Sequence, residues 1–415
     1  MRKSDRRTGQ EQSGAQLRLP LRELVREALF DTVIVSGLEY VGDVLEEERT
    51  ALCGRRYQHD PQGEALLAGS VVSSLSLGGR RVKVERPRAR SVAGRELSLP
   101  SWEAWSARDP LEQRAMEQML VGVSTRRYAR SLEALPSEVR VRGIAKSAVS
   151  ERFVVGTTRR LTALMQRKLN GLQLIAVMID VVHFADQVVL AAIGIDSGGK
   201  KHVLGLREGA TENVASCKAV LADLIERGLP TDRTLLFVID GAKALHRAVS
   251  DIFGERALIQ RCRERKKRNV TDALPERMGA SVRSAMTQAY ATRDAQRATK
   301  LLENLARRLE ADHPGAAASL REGLEETLTL ARLDLPETLE RVLSSTNLIE
   351  NLFSRVRDLA RRVKRWQGGT MILRWTAAGA LEAERTQLPQ NRRLSRTAEA
   401  DRSLTRSRHP HRSPT

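Results

Sequence analysis

Two aspartates close apolar runs of strand length. Asp180 ends Leu172 to Asp180 (LQLIAVMID), and Asp240 ends Arg233 to Asp240 (RTLLFVID), with Gly241 next. Continuous hydrophobic runs read as buried parallel strands, and in open α/β sheets chemistry gathers at strand carboxyl ends. Two carboxylates at one sheet edge repel, raise a pKa, and are tolerated mainly where a cation or a reaction needs both. The cation that suits them is Mg²⁺, which takes oxygen ligands at about 2.0–2.1 Å. Two such ions about 3.5–4 Å apart activate both ends of a phosphodiester displacement. Aspartate also starts turns, and spacing alone leaves that reading open.

The surrounding elements set the expected fold class. Strands at Gln187 to Ile195 and Lys201 to Leu206 follow the first run; a helix from about Thr211 to Arg227 then leads to the Asp240 strand. Three consecutive strands, a helix and a further strand do not follow the strict alternation of a Rossmann domain. They fit an α/β fold with a ribonuclease H-like catalytic domain over about residues 166–385. After Ala257 to Ile259 the chain turns helical through Leu343, rich in Ala, Leu, Glu and Arg. An all-helical insertion over about residues 271–344 is expected.

Ahead of this domain, residues 21–165 read as a mainly helical region suited to DNA binding. Apolar residues at helical spacing from Leu21 to Cys53 predict two short helices. Ser70 to Arg90 predicts a β-hairpin with a basic rim, Gly78-Gly79 preceding the alternating Val82 and Val84. A helix over Ser124 to Leu135, a loop at Pro136, and a helix from Gly143 to Arg152 resemble a helix-turn-helix. Lys146 and Ser147 would open its second helix toward DNA. A three-helix bundle is the alternative.

Charge bounds the partners. Seventy Lys plus Arg against 51 Asp plus Glu give +19, which implies polyanions. Six basic residues to one acidic fall in Arg80 to Arg90 and again in Arg261 to Arg268, and seven to one in Ser354 to Trp375. Such clusters match phosphate spacing along a duplex. Arg265, Lys266 and Arg268 belong to the second cluster, Lys364 and Arg365 to the third. Trp366 and Trp375 within the third either stack on unpaired bases or lie in the helical core. No run of 18 apolar residues predicts a membrane span, and the basic N-terminus lacks the apolar stretch of a secretory signal. Three unpaired-looking cysteines suit a reducing cytosol, so a cytoplasmic, nucleoid-associated protein is expected. Residues 1–20 and 386–415, the latter with seven Arg and two acidic residues, are expected to be disordered basic ends.

Ser345 to Arg357 (STNLIENLFSRVR) carries a third carboxylate. Read locally, Glu350 lies three residues past Asn347 and completes a capping box. Arg357 lies two turns on, near the same face, placed to steer a phosphate.

Taken in order, five segments resemble the DDE transposases of bacterial insertion sequences, specifically the Mutator-type family. They are IDVVHF (179 to 184), GIDSGGKKHVLGLREGATEN (194 to 213), VIDGAKAL (238 to 245), QRCRERKKRNV (260 to 270) and STNLIENLFSRVR (345 to 357). The resemblance implies a metal-binding triad of Asp180, Asp240 and Glu350, with Arg357 as the basic residue that follows. It implies Mg²⁺, with Mn²⁺ able to substitute, and DNA partners: terminal inverted repeats and target DNA, bound by an oligomer of the chain. The implied activity is end cleavage and strand transfer. Two positions depart from the family pattern. Val181 stands where Gly is usual, and Arg265 stands three residues after Cys262 where the family has His. A lone Cys262 makes no half-site, so no zinc is expected. Two alternatives keep the fold: an inactive, transposase-derived DNA-binding protein, and a stand-alone ribonuclease H-like nuclease.

Overall fold

A computed structural model describes residues 12–55, 64–106, 110–184, 187–209, 213–292, 294–333, 335–361, 363 and 365–387. The chain divides into two units, Met1–Gly156 and Thr157–Thr415.

In the first unit, α1 (Gln12–Cys53) is one helix where two were expected, and it includes residues 12–20 from the segment expected to be disordered. The β-branched residues near Thr32 to Val35 cost a few tenths of a kcal/mol each, about what a helix of this length absorbs. The hairpin forms as expected: β1 (Ala65–Leu77) and β2 (Arg80–Ser91) pair antiparallel across Gly78 and Gly79. Both glycines take positive φ, 56° and 87°, as the tight turn requires. Val82, Val84 and Ala89 are buried while Arg81 and Arg90 stay exposed. β3 (Glu96–Leu97) pairs with β2, where Glu96 accepts hydrogen bonds from Arg86 at 2.9 Å and Arg88 at 2.5 Å. The short helices α2 (Pro100–Ser106) and α3 (Pro110–Leu120) follow.

The helix-turn-helix is not formed as expected. Ser124 to Leu135 consists of turns and a single 3-10 turn, Ala129–Ser131, and then β4 (Val141–Arg142) joins β2. Pro136 forces its predecessor toward extended backbone. Tyr128, 1% exposed, donates its hydroxyl to the Gly79 carbonyl at 2.8 Å, so tertiary contact decides this segment. The second helix does form, as α4 (Lys146–Gln166), with Lys146 and Ser147 exposed in its first turn.

The second unit holds a five-stranded sheet of β5 (Leu174–Phe184), β6 (Gln187–Asp196), β7 (Lys201–Gly209), β8 (Leu235–Ile239) and β9 (Ala257–Arg261), in the order β7-β6-β5-β8-β9. β5, β6 and β7 pair antiparallel, and β8 and β9 run parallel to β5. Helices α5 (Val214–Glu226) and α6 (Lys243–Phe253) cover one face, packing Leu221, Leu224, Leu245 and Val249 against Val177, Ile179 and Phe237. The other face meets α13 (Glu337–Leu343), α14 (Asn347–Ala360) and α15 (Gly369–Gln387) around Met178, Val182, Val238, Phe353 and Ile372. Between β9 and α13 the chain is helical: α7 (Arg263–Asp272), α8 (Glu276–Tyr290), α9 (Ala295–Glu310), α10 (Pro314–Arg321), α11 (Leu324–Thr327) and α12 (Thr329–Arg332). From Val270 to Leu328 this block has a core of its own, with Met286, Leu302, Leu309 and Leu320 at its centre.

Candidate active site

The parallel register of β5 and β8 ends at Ile179 opposite Ile239, so Asp180 and Asp240, next in each chain, arrive at the same level of the sheet. The two-residue period of a strand sets their side. Met178 and Val182, and Leu236 and Val238, lie in the core beneath α14, so both aspartates face that helix. Contrary to the expectation that the strand ends there, β5 does not stop at Asp180 but continues to Phe184, because its ladder with β6 pairs Asp180 with Ala191 and runs on.

α14 supplies the third carboxylate. Ile349, Phe353 and Val356 bury one face of the helix, which leaves Glu350 in its first turn beside the sheet edge. Glu350 makes no capping box, since Thr346 caps the helix with no side-chain hydrogen bond. Exposure rises across the set, from 1% at Asp180 through 12% at Asp240 to 39% at Glu350. Together with His183 and Arg357 they line one cavity of about 330 Å³.

Arg265 lies among the three. Its Nη2 donates to Asp180 Oδ1 at 3.1 Å and Oδ2 at 3.2 Å, and is 3.6 Å from Glu350 Oε1; its Nη1 is 3.6 Å from Asp240 Oδ2. The guanidinium is turned toward the carboxylates, not outward to a phosphate as its place in a basic run suggested. Burial pushes the Asp180 carboxyl up to about 6; Arg265 pulls it down, and the Asp240 carboxylate pushes it up again. Burial works to lower the Arg265 pKa, but the three carboxylates hold it above its ordinary value.

Local chemistry fixes this geometry. Cys262 follows β9, and its backbone N–H donates to the Ile239 carbonyl at 2.7 Å, extending the ladder toward Asp240. Its sulfur accepts from the Arg265 amide at 3.5 Å, which caps α7, and from the Thr346 amide at 3.4 Å. The Thr346 hydroxyl is within reach of both that sulfur, at 3.7 Å, and the Asp180 carboxylate. Gly241 has φ +100°, and a Cβ there would lie 2.0 Å from Arg261 Nε, so only glycine lets Arg261 pass to the Glu322 carbonyl. The supporting roles of Thr346 and Gly241 had no signal in spacing, and that of Cys262 showed only in its three-residue separation from Arg265.

The other residues read from the sequence scatter. Lys266 is 1% exposed, and its Nζ donates to the carbonyls of Ser319 and Glu322 at the end of α10. It therefore cannot grip DNA, which corrects that expectation; helical periodicity on α7 turns it inward while Arg268 stays exposed. Arg365 is exposed, and Lys364 lies outside the described residues. Trp366 packs against the core edge-on to Trp375, ring centroids 6.5 Å apart at 87°.

Carboxylates are hard oxygen donors of the kind Mg²⁺ selects. The donor chemistry fits, but among the described residues no three ligating side chains already converge on one point. The guanidinium stands between them.

The sequence model described as Transposase, Mutator family matches residues 20–385. The chain belongs to that family. Similar proteins include the transposase for insertion sequence element IST2 of Acidithiobacillus ferrooxidans, 32% identical over 42% of this chain and 58% of that protein. The transposase for ISRM5 of Rhizobium meliloti is 29% identical over 50% of this chain and 51% of its own length. The transposase for IS406 of Burkholderia multivorans is 26% identical over 81% and 88%. The chain thus spans about half the length of the first two relatives and most of the third. Among the described residues of this Mutator-family chain, no helix is long and apolar enough to cross a membrane.

Proposed function

We infer that this chain is an insertion-sequence transposase that cuts element ends and joins them to target DNA at the Asp180, Asp240, Glu350 site. The observation that carries the reading is the convergence of these three carboxylates and Arg357 on one cavity in a Mutator-family chain. The sheet order, with three antiparallel strands and two parallel ones, supports a ribonuclease H-like catalytic domain, with the helical block between β9 and α13, which has a core of its own, as its insertion.

A divalent ion held by Asp180, Asp240 and Glu350 would supply water activation and stabilise the leaving oxygen. Cleavage breaks the phosphorus–oxygen bond so that a 3′-hydroxyl is left, and that hydroxyl attacks a target phosphodiester. Arg357, exposed on α14, steers the phosphodiester toward the carboxylates. Burial of Asp180 excludes water from its side of the cavity and strengthens each charge interaction there. Lys146 and Ser147 at the start of α4 contact the terminal repeats, and exposed Arg268 and Arg365 grip the backbone. The working form is an oligomer on DNA in the cytoplasm.

The test is cleavage of an end-containing duplex in Mg²⁺ by the wild type and by Asp180→Asn, Asp240→Asn and Glu350→Gln. Each variant should lose cutting by orders of magnitude and keep end binding; near-wild-type cutting removes that residue from the site. Arg265 favours a second reading, an inactive DNA-binding relative, because its guanidinium pairs with all three carboxylates. Cleavage seen only in Arg265→His would establish that second reading.

A further inference from the structure

Arg265 carries a positive charge that reaches all three carboxylates. The contacts are graded. Asp180, the most buried, receives two hydrogen bonds from Nη2, while Asp240 and Glu350 are held at 3.6 Å by charge alone. The Nε hydrogen is buried and has no partner. A guanidinium shaped to this site would use that donor as well, since leaving a buried donor unmade is costly. The side chain is 30% exposed, so a path to solvent exists along the cavity. The anchor is fixed, because the Arg265 amide is tied to Cys262 at the start of α7. Only the side chain can move.

The Arg265 guanidinium set against three carboxylates, even with Arg357 on the cavity wall, leaves the cluster net negative, and a divalent ion can take up that charge when the Arg265 side chain leaves. Both cations cannot sit among the same oxygens. Resting on the reading of Asp180, Asp240 and Glu350 as metal ligands, we propose that Arg265 is a resident counter-ion that competes with the divalent metal. In the metal-free protein it holds the three carboxylates together, and metal binding expels its side chain into the cavity mouth. Such a residue lets the carboxylate cluster fold without metal and raises the metal concentration at which the site fills.

Mn²⁺ alone, without DNA, is the probe, and its binding is followed by electron paramagnetic resonance. Arg265→Gln removes the charge and should bind Mn²⁺ at least tenfold more tightly than the wild type. Arg265→Lys keeps the charge and should stay within about threefold of it. Equal tightening in both variants, or none in Arg265→Gln, overturns the competition. A second measurement needs no variant: site-resolved phenylglyoxal modification of the wild type, read by mass spectrometry. Mn²⁺ should speed the modification of Arg265; an unchanged or slower rate overturns the proposal. The two readings fail differently. Mn²⁺ binding that Asp180→Asn abolishes but Arg265→Gln leaves unchanged removes the competition and keeps the metal site. No Mn²⁺ binding in any form removes the metal site, and the competition with it.

Discussion

The sulfur of Cys262 accepts the backbone N–H of Thr346 at 3.4 Å, and so joins the start of α7 to the start of α14. Through this one atom the helix that carries Arg265 and the helix that carries Glu350 share an anchor beside Asp240. Cys262 is 1% exposed and Thr346 fully buried, so no water replaces the contact.

Removing that anchor should therefore cost stability. Cys262→Ala should lower unfolding free energy by about 2 kcal/mol, from lost contacts and unpaired buried amides. Cys262→Ser, whose hydroxyl accepts from the same amides, should lose about half as much. Urea midpoints of the full chain measure both; a smaller loss for Ala than for Ser would refute the anchor.

Gly241 offers a contrast with Gly254. Both have positive φ, 100° and 53°, but a Cβ at 241 collides with Arg261, whereas at 254 nothing lies within 4 Å. Gly254→Ala should cost about 1–3 kcal/mol, because its φ of 53° with ψ of −132° lies where residues with a side chain seldom go. Gly241→Ala should cost about 3 kcal/mol or more, since Arg261 must also move. Equal thermal shifts would show that the collision relaxes freely.

Much of this arrangement was legible in the sequence, and the remainder was not for physical reasons. Asp180 and Asp240 were visible because buried parallel strands leave uninterrupted apolar runs, and such a run makes the polar residue at its end conspicuous. Glu350 was not visible locally, since its spacing from Asn347 is that of a capping box; only the order of the wider motifs singled it out. The target of Arg265 was hidden, because it depends on where β9 delivers α7, which no local pattern encodes. The same limit applies to Tyr128, whose bond to Gly79 holds a stretch of turns where helical spacing suggested a helix. Lys266 shows that a run of basic residues on a helix cannot all face solvent.

Lys266 gives a pH dependence. Burial, with Arg261 nearby, lowers its pKa to about 8, against an ordinary value of 10.5. The folded state then releases this proton before the unfolded chain does, so stability is lower while the lysine is charged and rises with pH from about 8 to 10.5. The gain should reach about 3 kcal/mol. The difference in unfolding free energy between wild type and Lys266→Met, followed across pH 7 to 11, isolates it. A difference that is flat with pH, or that moves the other way, would contradict a buried charge at Lys266.

If Asp180 touches a catalytic metal, exchanging its oxygen for sulfur changes which ions support cleavage. Thiolates prefer softer ions than Mg²⁺. Asp180→Cys should lose end cleavage by at least about a hundredfold in Mg²⁺, and should recover a measurable part of it in Mn²⁺ or Cd²⁺, while Asp180→Ala recovers none. The same loss in every metal, with Asp180→Cys and Asp180→Ala alike, would mean that Asp180 does not touch the metal.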